Sequence, residues 1–199
     1  MTVSEPMTLA TDYLLGAVAG WLCILLARNR ESQSSRTLWA LAFAAVALAA
    51  FLGGTWHGFL QGDLLWKATL LAAGGASFAM LAGSAFVVLS GVPRAVLLVL
   101  AGVKFLVYAA VVLTRGEFIF VVIDSGIAFA LVAALHLWRL NAWIVAGVAV
   151  SVLGALVQAS GLAPHRHFNH NDLYHVIQVA AMFLLYRGAR RLTDSVALG

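Results

Sequence analysis

Long apolar runs alternate with short polar breaks along the whole chain. The runs cover residues 8–28, 37–59, 66–90, 94–114, 118–138, 141–160 and 170–188. An α-helix needs about 20 apolar residues to cross a bilayer core, and each run is close to or above that length. The breaks read RNRESQSSR, LQGD, GVPR, TRGE, RLN and GLAPHRHFNH, each carrying polar or turn-forming residues. Connections this short make neighbouring helices antiparallel. The pattern predicts an all-α fold, a polytopic integral membrane protein made of one seven-transmembrane-helix bundle over residues 1–199. No internal repeat or low-complexity segment interrupts it.

Composition agrees with this reading. Hydrophobic residues make up 63% of the chain and charged residues 10%, against about 25% charged in an ordinary soluble domain. A soluble protein this apolar could not cover its surface with polar groups, so the excess faces lipid. The start, MTVSEPMTLATDY, has Glu5 and Asp12 and no basic residue. It lacks the positive n-region of a signal peptide, and the expectation is a first span that stays in the membrane. The net charge of +4 reflects loop Lys and Arg, not a nucleic-acid surface. The single cysteine, Cys23, excludes an internal disulfide and a Cys-rich metal cluster.

Charge placement sets an orientation. With the N-terminus outside, the inner loops and tail hold Arg28, Arg30, Arg36, Arg94, Arg139, Arg187, Arg190 and Arg191. The outer side then holds Lys67, Arg115 and Arg166, with Lys104 inside span 4. Lys and Arg concentrate on the cytoplasmic side of membrane proteins, so the C-terminus is expected in the cytoplasm. In a bacterium the location would be the inner or plasma membrane. Trp39, Trp138 and Trp143 fall at the inner boundary and Trp56 and Trp66 at the outer one, as in aromatic belts. Gly75, Ala79 and Gly83 recur every four residues on span 3, a small-residue spacing that lets helices approach closely.

The polar residues inside the spans gather at one level. Span 2 ends in GGTWHGF, which places His57 near the outer surface. Span 7 begins outside, so His170, Asn171, Asp172, Tyr174 and His175 occupy its first two turns. Lys67 opens span 3, and Asp124 lies about 9 Å into span 5 at 1.5 Å per residue. Ionisable residues within spans are costly, face the bundle interior and mark function. Asn171, Tyr174, His175 and Gln178 are three and four apart and share one helical face. Asn169 is placed to cap this helix, with Asp172 answering it three residues later, and His170 is then the first helical residue. His165 and His167 are expected in the solvated loop, and His136 at the inner interface. Lys104 is the deepest charge, and Asp124 on the next span is its natural partner.

Seven spans, an outside N-terminus, a histidine closing span 2 and a histidine-rich start to span 7 resemble the alkaline ceramidase and progestin/adipoQ receptor superfamily. Several members are zinc-dependent lipid amide hydrolases. The resemblance implies a zinc histidine at the end of a Ser-x-x-x-His motif on span 2 and two more from His-x-x-x-His on span 7. It also implies an Asp on the span 2–3 side that aids catalysis. In this chain His57 matches the span 2 histidine and His175 the second span 7 histidine. The first span 7 position falls on Asn171, in NDLYH, and the span 2 serine position falls on Gly53. His170, His167 and Asp124 remain alternatives for a third zinc ligand. Asp124 or Asp63 would serve as general base, and Lys67 or Lys104 would stabilise an oxyanion. The implied substrate is a lipid amide or ester, entering sideways from the bilayer among the membrane lipids.

Two function classes compete on these residues. One is a zinc-dependent membrane hydrolase acting on a lipid. The other is a non-catalytic sensor, carrier or complex subunit, in which His57 and His175 hydrogen-bond to Asn171, Tyr174, Gln178 or Asp124 without a metal. A retinal protein is excluded because span 7 has no lysine. A channel is disfavoured because the polar residues stop in the outer half, apart from the isolated His136.

Overall fold

The computed structural model describes residues 3–196. Seven helices follow one another: α1 (Pro6–Arg28), α2 (Ser34–Gly58), α3 (Asp63–Val88), α4 (Gly91–Arg115), α5 (Ile119–Trp138), α6 (Ala142–Ser160) and α7 (His170–Ala189). Among the described residues there is no β-strand, only an isolated bridge between His165 and Phe168. The helix ends fall within a few residues of the apolar runs, because the breaking signals are local. Pro6 opens α1, and glycines with positive φ, Gly116 and Gly161, close α4 and α6. The capping box expected at α7 is present: the Asn169 side chain accepts from the Asp172 amide, and the Asp172 carboxylate accepts from the Asn169 amide at 2.7 Å.

Six of the helices, α1 to α6, are long and apolar enough to cross a membrane. Large apolar side chains face outwards all round them, including Leu14, Trp21, Leu41, Leu48, Val99, Leu106, Ile123 and Leu156, each about half exposed or more. This is the make-up of a helical, multi-pass membrane protein. The seventh helix, α7, is less apolar because it carries His170, Asn171, Asp172, His175 and Gln178. It packs between α1 and α6.

The helices close into a ring in the order α1, α2, α3, α5, α6, α7, with α7 returning to α1. Helix α4 sits outside, against α3 and more lightly against α5. Glycines set the closest approaches. A Cβ on Gly83 would lie 2.8 Å from the Trp39 ring, and one on Gly74 would lie 2.2 Å from Tyr108. Trp39, Phe43, Met80, Leu81, Ile144 and Leu185 belong to the main buried core.

Ser4 and Asp194, near the two limits of the described residues, sit at opposite ends of the bundle. The Ser4 amide bonds to the Gly58 carbonyl at the finish of α2. Asp194 accepts from the Ser34 and Ser35 amides at the start of α2, at 2.8 and 3.0 Å. Helix α2 has 25 residues, about 37 Å at 1.5 Å per residue. His136, in the last turn of α5, is turned into the bundle. It is fully buried, 3.0 Å from the Ser84 hydroxyl and edge-on to Trp39, because imidazole finds a hydroxyl partner inside the bundle.

Candidate functional site

A cavity of about 340 Å³ lies inside the ring. Its lining follows α7 from Asn171 to Leu185, about 21 Å of helix axis. The end nearest the start of α1 is polar, with Asp12, His57, Gln158, Asn171, Tyr174, His175 and Gln178. Thr69 and Ser125 also line the cavity, and the remainder is apolar, with Val46, Ala50, Ala76, Met80, Phe129 and Leu185. Trp66 and Phe118, with ring centroids 6.2 Å apart, complete the polar end.

The centre of the polar wall is a pair formed by α1 and α7. His175 Nε2 lies 3.2 Å from Asp12 Oδ1, and its Nδ1 lies 3.1 Å from the Thr11 hydroxyl. Nε2 thus faces the Asp12 carboxylate at ion-pair distance, while Nδ1 shares a hydrogen bond with the Thr11 hydroxyl. One turn earlier on both helices, the Thr8 hydroxyl donates to Asp172 Oδ1 at 2.9 Å. Thr8, Thr11, Asp12 and Leu15 therefore form one buried face of α1. Asp12 Oδ2 is buried and has no partner among the described residues. Beside it lies Gly53, where a Cβ would come within 3.8 Å of the carboxylate oxygens and 3.4 Å of the Thr69 methyl. The missing side chain at Gly53 keeps space next to Asp12.

His57 stands on the same cavity wall but turns its Nδ1 to Glu5 Oε2 at 3.0 Å, and its ring meets Trp56 edge-on. Asn171 Oδ1 accepts from Gln158 at 3.1 Å, and Gln178 donates to the Ser151 carbonyl at 3.0 Å. His57, Asn171, Tyr174, His175 and Gln178 are thus brought together, as expected. Their partners differ from those expected: both histidines bond to the N-terminal segment and α1, not to Asn171, Tyr174, Gln178 or Asp124.

The other candidates sit elsewhere. Asp63, exposed, and Lys67, half-buried, form an i,i+4 pair at the start of α3, 2.8 Å apart, and neither lines the cavity. Lys104 and Asp124 form a tight ion pair between α4 and α5, with Lys104 also donating to the Ser77 hydroxyl at 3.1 Å. The pair lies away from the cavity lining, and Asp124 Oδ2 stays buried without a hydrogen-bond partner among the described residues. His170 begins α7 half-buried and does not line the cavity, and His165 and His167 are exposed in the loop.

The zinc set implied by the resemblance is incomplete in this geometry. Tetrahedral zinc with ligand bonds of roughly 2.0–2.1 Å spaces its ligands about 3.3 Å apart. The His175–Asp12 contact at 3.2 Å has that spacing, and the orphaned Asp12 Oδ2 is a free donor atom. A third donor does not join them: among the described residues no three His, Cys, Asp or Glu side chains come together as a metal-ligand group. Two donors do not make the three-ligand catalytic site, and no hydrolytic step follows from them.

Asp12, Thr8, Thr11 and Glu5 are the site residues that inspection of the sequence missed. The signal was present: Thr8, Thr11, Asp12 and Leu15 have i, i+3, i+4, i+7 spacing, and an acid within an apolar run is itself a mark of an inward face.

These features define a helical membrane protein with an internal cavity, polar at one end and apolar along its length. Residues 7–194 match the model of a family of unknown function, DUF6962, and the chain belongs to that family. No curated protein and no solved structure matches the chain.

Proposed function

We propose that this chain is a seven-span membrane protein, N-terminus outside and C-terminus cytoplasmic, whose cavity binds an amphipathic molecule drawn from the bilayer. The observation that carries the reading is the cavity's division. Asp12, His57, Asn171 and His175 line one end, and Met80, Phe129, Met182 and Leu185 line the apolar length. A ligand with a donor-bearing head and an alkyl or acyl body matches both parts. Asp12 Oδ2 supplies the acceptor, and the volume lies at the lower end of the roughly 300–1,000 Å³ range of small-molecule sites. The seven-span topology is supported by the termini at opposite ends of α2 and by the Arg-rich turns on the side of the C-terminal tail. Polar groups on α7 face inward between α1 and α6, so a less apolar helix is shielded from lipid.

The test is solvent extraction of the purified protein followed by mass spectrometry, comparing wild type with Ala76→Phe, which fills the apolar length. Ala76 is buried and lines the cavity. An amphiphile retained by wild type and lost from the folded variant supports the proposal. Equal content in both refutes it.

A zinc-dependent hydrolase of a lipid amide or ester is the second reading. The spacing of Asp12 and His175 favours it, with His57 on the same wall as the candidate third ligand. Elemental analysis separates the readings. About one zinc per chain, lost in His57→Ala, Asp12→Ala and His175→Ala, supports the hydrolase. A folded, metal-free wild type purified without chelator leaves the binding role.

A further inference from the structure

A second cavity, of about 370 Å³, lies at the opposite end of the bundle, where α5 turns into α6 and the chain leaves α7. Its wall includes His136, Arg139, Asn141, Arg191 and Thr193 and no acidic residue. Arg139 uses one N–H to reach the Val87 carbonyl at 3.0 Å. Arg191 has no side-chain hydrogen bond or ion pair among the described residues, while Asp194, close by in the chain, is bound to the Ser34 and Ser35 amides. At the inner wall His136 is fully buried, and its Nδ1 has no partner among the described residues. At the rim Trp138 and Leu140 are 82% and 89% exposed.

Two exposed guanidinium groups with no counter-ion among the described residues, lining one cavity, call for an anion with several acceptor oxygens. Arginine meets phosphate oxygens with paired N–H donors. The cavity opens where the apolar surfaces of α5 and α6 end, next to an exposed tryptophan of the kind that sits at headgroup level. We propose that this pocket binds the phosphate of an anionic phospholipid, whose chains lie against the exposed apolar residues of α5. The apolar rim is the reason for choosing a lipid over free phosphate as the source. None of these residues lines the central cavity, so this inference does not depend on the reading of that cavity.

The experiment is native mass spectrometry of the full-length protein released from nanodiscs of phosphatidylcholine and phosphatidylglycerol. Wild type is expected to retain phosphatidylglycerol in preference to phosphatidylcholine. Arg139→Gln and Arg191→Gln should each lower that preference about fivefold, the usual effect of one basic residue at an anionic membrane surface. Gln at 139 keeps a donor for the Val87 carbonyl, and Arg191 has no protein partner to lose, so both variants should fold. Arg190→Gln, outside the cavity lining, should leave the preference unchanged. Equal retention of the two lipids by wild type, or a preference that survives in the double variant, would overturn the proposal. Displacement of the lipid by inorganic phosphate alone would also overturn it, by making free phosphate the ligand.

Discussion

Replacing His175 with leucine tests the α1–α7 pair directly. Asp12 and His175 are 5% and 8% exposed, so both lie deep in the bundle, where a lost partner is costly. The substitution removes the ring that faces Asp12 Oδ1 at 3.2 Å, and Oδ2 already lacks a partner among the described residues. The Thr11 hydroxyl falls back on its own-helix acceptors, the Met7 and Thr8 carbonyls at 3.0 and 3.2 Å, and contributes little to the loss. An average hydrogen bond between helices in a membrane is worth about 0.6 kcal/mol and at most about 1.7. A buried charge stripped of its partner costs about 3–5 kcal/mol. A buried carboxylate with one neutral donor lies between these limits, so His175→Leu should cost about 2–4 kcal/mol. Asp12→Leu combined with His175→Leu removes the stranded carboxylate and should cost less than the sum of the single variants by about 1 kcal/mol or more. The assay is reversible unfolding in mixed micelles, with hydrogen exchange of α1 as a local readout. Additive losses in the double variant, or a His175→Leu loss below about 0.5 kcal/mol, would refute the reasoning.

Three further outcomes follow from the packing and the charges. Gly74→Ala puts a Cβ 2.2 Å from Tyr108, whose hydroxyl donates to the Leu70 carbonyl. It should destabilise the bundle by about 1–3 kcal/mol, whereas Gly102→Ala, with nothing within 4 Å, should be neutral in the same unfolding assay. Lys104→Met strands the Asp124 carboxylate, which is 4% exposed, and should cost about 3–5 kcal/mol; adding Asp124→Leu should recover much of that loss, measured again by unfolding. At the C-terminal tail, burial raises the Asp194 pKa, but hydrogen bonds from Ser34 and Ser35 outweigh it and hold the carboxyl below its ordinary value. The Asp194 carboxylate's share of the tail's attachment is therefore complete above the ordinary carboxylate pKa of about 4 and is lost as pH falls through the lower folded value, while Ser195 stays bonded to Phe86, Leu89 and Arg94. Limited proteolysis across that range should show the tail less protected on acidification, and Asp194→Asn should weaken its protection at neutral pH; a tail equally protected throughout would contradict this.

The polar wall was legible only in part, and the reason differs from residue to residue. His57, His175, Asn171, Tyr174 and Gln178 could be placed at one level because depth along a helix is fixed by a constant rise per residue. Lys104 and Asp124 could be paired because they lie on consecutive spans at similar depth. Asp12 could not be matched to His175, since the two are 163 residues apart and depth alone leaves open which helices are neighbours. Asp63 and Lys67 had the right depth, yet a pairing within one helix satisfies them away from the cavity.

By itself the sequence determined the number and extent of the helices, the cap of α7 and the direction of the charge bias. These properties depend on a local apolar run, the nearest turn residue and the chain's passage through about 30 Å of hydrocarbon. Only the tertiary structure decided that α7 closes the ring against α1, that α4 stays outside, and that Asp12 is the partner of His175. Lateral helix order is set by which surfaces fit, such as the Gly74–Tyr108 and Gly83–Trp39 approaches. Such fits join residues far apart in the chain, and no local pattern encodes them.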